Sequence, residues 1–120
     1  MKSLRPHERI RRRPEFLQAY EHGRKHHARF MTMFVRESAT PVARLGVSAT
    51  RKFGPAVVRN RAKRRGRELF RHHKPMSGVD LVIIPRRGFD TAVFTELESD
   101  YLSALRRLRI RVSGTQDARP

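Results

Sequence analysis

The chain has 120 residues, enough for one domain with one modest core, and 38% of them are apolar. It has 28 Lys plus Arg against 11 Asp plus Glu, a formal charge of +17, and no cysteine. That excludes a disulfide scaffold, a thiolate zinc site and a thiol nucleophile. The longest aliphatic run, Leu81 to Ile84, is far short of the roughly 20 residues of a membrane-spanning helix. The basic start (Lys2, Arg5, Arg9, Arg11 to Arg13) has no apolar stretch behind it, so it does not read as a secretory signal. The expectation is a soluble cytoplasmic protein with no membrane partner.

The elements follow in chain order. Pro14, Glu15 and Gly23 mark the start and exit of a short helix in which Phe16 and Tyr20 share a face. Arg29 to Val35 alternates as a strand, with Met31, Met33 and Val35 on one face and Phe30, Thr32 and Phe34 on the other. Arg44 to Thr50 alternates again, placing Gly46, Ser48 and Thr50 opposite Leu45, Val47 and Ala49. A pair of such strands has an aliphatic face for a core and a second face that is aromatic, small and hydroxylated. A helix is predicted from Pro55 to His72, with Val58, Ala62, Gly66 and Leu69 on its dry stripe. Asn60, Lys63, Arg64, Arg67 and Arg71 lie opposite, and Arg59, Arg61 and Arg65 lie on the flanks. Val79 to Pro85 reads as an interior strand, and Thr95 to Arg109 as a final helix with capping-box spacing at Thr95 and Glu98. The expected architecture is α+β: a small single-domain sandwich ordered helix, strands, basic helix, strand, helix. Residues 1–8 and 113–120 are expected to be flexible.

Charge points to the partner. Residues 51–74 carry ten Lys or Arg and one acid, Glu68, whereas residues 86–109 are nearly balanced. Solvated helix faces usually interleave acids; this one does not, and a face of that kind can track a phosphate backbone. Arginine dominates, 23 against five lysines, and its planar fork suits phosphate. Single-stranded RNA needs aromatic faces beside a cationic groove. Phe16, Tyr20, Phe30 and Phe34 could supply the first, Lys63 and Arg67 the second. The adjacent pairs His26-His27 and His72-His73 lack metal-ligand spacing. The acids form no obvious two-metal pair, Ser48 has no nucleophile elbow, and there is no P-loop. No catalytic or metal-ligating residue is therefore assigned to the protein.

The stretch Arg44 to Phe70, with Arg59-Asn60-Arg61 followed by Lys63, Arg64 and Arg67, resembles the signature of the bacterial ribonuclease P protein component. The similarity extends over roughly residues 9–108: Phe16, Tyr20, His22-Gly23 and the Arg29 to Val35 strand precede the signature, and Asp80 to Ile84 and the last helix follow it. Pro55, Arg65 and Gly66, and Thr50 depart from the family's common residues without removing a charge.

The resemblance implies the small partner of a catalytic RNA that cuts the 5′ leader from precursor tRNA, with no obligate protein partner. Mg²⁺ is then expected mainly on the RNA. It implies a fold like the second domain of a small-subunit ribosomal protein, with a left-handed β-α-β crossover against the usual hand. The catalytic RNA would be contacted by Arg51, Lys52, Arg59, Asn60, Arg61, Arg64, Arg65 and Arg71. A leader-binding cleft would use Phe16, Tyr20, Phe34, Lys63 and Arg67; strand parity adds Phe30 and Ser48. Two rival readings stand at this point, a ribosomal protein without a single-strand cleft and a self-sufficient metal nuclease.

Overall fold

The computed structural model describes residues 4–38, 40–76 and 78–112. Strands β1 (Arg24–His27), β2 (Met31–Glu37), β3 (Arg44–Val47) and β4 (Val79–Pro85) form one sheet in the order β1-β2-β4-β3. β2 runs antiparallel to both β1 and β4, while β3 and β4 are parallel. A parallel pair needs a crossover, and helix α2 (Ala56–His72) supplies it. Helix α1 (Arg13–His22) precedes the sheet and α3 (Phe94–Arg107) follows it.

The two sheet faces bury different things. Met31, Met33 and Val35 of β2, with Leu81 and Ile83 of β4, pack against Leu69, Phe70, Leu97, Tyr101 and Leu105 from α2 and α3. Phe34 and Val82 point the other way, against Ile10, Ala19, Phe16 and Tyr20 around α1. Being covered on both faces explains why β2 and β4 are apolar at both parities. β2 also holds the buried Thr32 and ends in Arg36 and Glu37; in β4 the exception, Asp80, is 3% exposed and lies opposite Arg44 in the β3–β4 register. Arg44 donates to it from Nε at 2.9 Å and from Nη2 at 2.8 Å, and from Nη1 to Glu15 of α1 at 2.9 Å. One guanidinium thus ties the first helix to two strands.

Several expectations need correction. The strand expected from Arg29 begins at Met31, and the one expected to reach Thr50 ends at Val47. β1 was not foreseen: its Arg-Lys-His-His sequence has no apolar period, and pairing with β2 makes it an edge strand. α3 starts at Phe94 behind Val93, with no side-chain cap, so the Thr95–Glu98 box does not form. Glu98 instead meets His73 Nε2 at 2.7 Å, which joins α3 to the end of α2. α3 closes in a Schellman motif: Arg109 takes φ 61°, and Ile110 N–H donates to Leu105 O at 2.9 Å.

Within the expected flexible start, residues 4–8 are folded. Leu4 is buried, Pro6–Glu8 forms a 3₁₀ turn, Arg5 N–H donates to Glu8 at 3.0 Å, and Glu8 pairs with Lys74. Residues 1–3 and 113–120 lie outside the described residues.

Candidate nucleic-acid interface

α2 presents its cations from a tightly seated helix. Ala62, Gly66, Leu69 and Phe70 are buried. A Cβ on Gly66 would stand 2.6 Å from Val47 Cγ2, so glycine is what lets the helix approach β3. This accounts for the departure at Gly66 noted in the sequence.

The basic residues do not form one uniform face. On one flank Arg61 lies 3.8 Å from Asp90, and Arg65 donates to Phe89 O at 2.9 Å while stacking over Phe94. That flank is held against the loop between β4 and α3. Arg59 donates to Gly54 O at 3.0 Å in the turn before the helix, and Arg71 pairs with Glu68. Arg51, Lys52, Asn60 and Arg64 are exposed. Of the eight residues assigned to the catalytic RNA, these four and Arg61 are exposed, while Arg59, Arg61, Arg65 and Arg71 are also engaged within the protein.

Lys63 and Arg67 occupy the opposite flank and face a cleft of about 800 Å³. Its far wall is Phe16 and Tyr20 of α1, with ring centroids 6.5 Å apart, and Gly46, Ser48 and Ile84 contribute to its lining. Gly46 is small for a reason: a Cβ there would come within 2.7 Å of the Phe16 ring. Five of the seven leader-cleft candidates, Phe16, Tyr20, Ser48, Lys63 and Arg67, therefore meet in one groove.

Phe30 and Phe34 do not line it. Phe30 precedes β2, so strand parity does not govern it; its ring packs in the larger core, beneath Arg29, whose guanidinium lies 4.5 Å from the centroid. Phe34 does point to the α1 side, but α1 covers it. It is 9% exposed and lies under Tyr20, edge to face at 4.9 Å between centroids. It supports the cleft wall rather than forming its surface.

Three further cations line the cleft, namely Arg9, Arg11 and Arg13. Sequence reading counted them in the basic start and assigned them to no site. For Arg13 the usable signal was position, because it stands three residues before Phe16 and shares its side of α1; Arg9 and Arg11 precede the helix and carried no such signal. The lining holds five cations and no carboxylate. Burial, followed by the charges of Arg9 and Arg64, lowers the pKa of Arg67 from its usual value. Positive charge is crowded here with no internal counterion, which suits an anion and not a divalent metal.

Among the described residues, no three His, Cys, Asp or Glu side chains gather as metal ligands. His72 lies 3.0 Å from Glu68, and His27 Nδ1 2.9 Å from Thr32 Oγ1. Among the described residues no helix is long and apolar enough to cross a membrane.

The Ribonuclease P family model matches residues 4–109. The chain belongs to the ribonuclease P protein family. It is 36% identical over 103 residues to the ribonuclease P protein component of Citrifermentans bemidjiense, covering 85% of this chain and 89% of that one. The ribonuclease P protein of Thermotoga maritima superposes with a TM-score of 0.76 at 33% identity, over 85% of this chain and 98% of that one. That of Staphylococcus aureus gives a TM-score of 0.76 at 25% identity, over 86% and 96%. The expected α+β ribonuclease P fold is the observed one. The matched span begins at Leu4, within the docked start.

Proposed function

We propose that this chain is the protein subunit of a ribonuclease P, serving a catalytic RNA that removes the 5′ leader of precursor tRNA in the cytoplasm. The observation that carries the reading is the acid-free groove in which five cations face the rings of Phe16 and Tyr20. A groove of that kind holds an unpaired strand, with phosphates on the cations and bases against the aromatic wall. The outer side of α2, with Asn60 and Arg64, and the turn carrying Arg51 and Lys52 then lie against the folded catalytic RNA. A ribosomal protein would use such a helix without needing the groove.

The protein's contribution is positional and electrostatic. Holding the leader favours precursor over mature tRNA, and the intervening positive charge reduces repulsion between two RNAs. The assembly should consequently need less magnesium. The cleft has no carboxylate to hold that ion, which supports the reading that Mg²⁺ sits mainly on the RNA, where it would supply metal-assisted hydrolysis.

Reconstitution with a bacterial catalytic RNA at low magnesium tests this. Cleavage is expected with the protein and greatly reduced without it; protein alone should not cut. Lengthening the leader from one to about five nucleotides should tighten binding, within the site sizes of single-strand clefts. Lys63→Ala and Arg67→Ala should each cost about 1 kcal/mol or more and lower the salt slope by about one unit. Cleavage by protein alone, or affinity independent of leader length, would overturn the reading.

A further inference from the structure

Arg9 precedes the first helix, yet its backbone is fixed. It bridges to Leu45 on the edge strand β3, and Ile10 N–H donates to Leu45 O at 2.9 Å. The edge of the sheet thereby delivers the Arg9 side chain into the cleft from the side opposite the first strand pair. Its Nε is buried and has no hydrogen-bond partner among the described residues. A buried donor left unmatched is unfavourable, and more so when it is charged. Arg67 reaches the same cleft from α2, and no carboxylate lies in the lining to neutralise either. The positive field of Arg9 opposes the charge on Arg67.

In the protein by itself this arrangement is unfavourable twice over, through an unmatched donor and through like charges. The second cost is offset if one anion sits between the two guanidinium groups in the cleft that both line. A phosphodiester has a single charge and two non-bridging oxygens, which two planar forks can share. We propose that Arg9 and Arg67 form a two-arginine subsite that grips one phosphodiester of the leader strand. Gripping one linkage fixes the register in which the neighbouring bases reach Phe16 and Tyr20. The inference rests on the cleft being the leader site, and names the group that sets the strand's position within it.

The test uses full-length protein, the catalytic RNA and a precursor with a five-nucleotide leader. Methylphosphonate, which removes the charge, replaces one leader linkage at a time. With the unaltered protein a single linkage should show a penalty of about tenfold, the size of one charge-assisted contact. Arg9→Gln should weaken precursor binding by about the same factor and erase that linkage's penalty. It should leave affinity for mature tRNA and for the catalytic RNA unchanged, and Arg9→Lys should restore part of the loss. In RNA-free protein, inorganic phosphate should raise the Tm of the unaltered chain more than that of Arg9→Gln, and Arg9→Gln should not lower Tm in buffer without phosphate.

A methylphosphonate pattern unchanged by Arg9→Gln would overturn the subsite while leaving the leader cleft intact. Equal weakening toward the catalytic RNA and the precursor would also overturn it, because the gripped phosphate would then belong to the catalytic RNA. A lower Tm for Arg9→Gln with no change in phosphate response would show a packing role instead. Affinity independent of leader length would remove the cleft reading and the subsite together.

Discussion

Phe30 and Phe34 are four residues apart and lie in different compartments. Alternation places both on the aromatic face only if the strand already exists at residue 30, and it does not. Phe34 has the expected orientation, but Ala19, Ile10 and Tyr20 cover it. The consequence is a stability role. Phe34→Ala should lower unfolding free energy by about 3 kcal/mol, the usual cost of emptying a phenylalanine site, read as a lower urea midpoint with m unchanged. Tyr20, which rests edge to face on Phe34, would lose its support, so precursor affinity should fall as well. A variant of unaltered stability would show that the ring is not packed as described.

At the scale of elements, α2 shows how packing and function divide one helix. Its dry stripe was legible because burial repeats at the helical period. How its cations are shared out was not, because period says which residues share a side and not what approaches that side. Arg61 and Arg65 are claimed by the loop after β4, while Lys63 and Arg67 face the cleft. The seat of the helix depends on Gly66. Alanine there would add about 1 kcal/mol of helix propensity, but its Cβ would collide with Val47. Overpacking of this kind costs about 1–3 kcal/mol, so Gly66→Ala should be net destabilising in denaturant unfolding. Adding Val47→Ala should recover part of the loss, a coupling that simple propensity would not produce.

Across the whole molecule, the few acids serve as ties in a strongly positive body. Glu15 joins α1 to Arg44, and Glu8 joins the docked start to Lys74. Burial works to raise both carboxyl pKa values, but hydrogen bonds and the charges of Arg44 and Lys74 outweigh it and hold both below the ordinary 4.5. A carboxylate whose pKa is depressed by folding stabilises the fold above its unfolded value and loses that contribution as pH falls through the folded one. Tm should therefore be insensitive to these groups from neutral pH down to about 5 and decline below 4.5. Protonation also removes negative charge from a chain already at +17, which adds self-repulsion in the same direction. Arg44→Gln should flatten the acid limb; an unchanged profile would mean that Glu15 is not held by Arg44.

The sequence by itself determined the α+β element order, the interior strand Val79–Pro85, the cationic helix and the ribonuclease P resemblance. Those features are local: apolar period, punctuation by Pro and Gly, and an excess of one charge over a short stretch. It also brought forward five residues that do line the cleft, because helix and strand periods place side chains on faces. Only the tertiary structure formed β1, whose polar side chains carry no pattern and whose backbone simply completes an edge. Only it folded residues 4–8 and carried Arg9, Arg11 and Arg13 into the groove. Pairing partners and burial are set by what lies opposite in space, and periodicity within one segment holds no record of that.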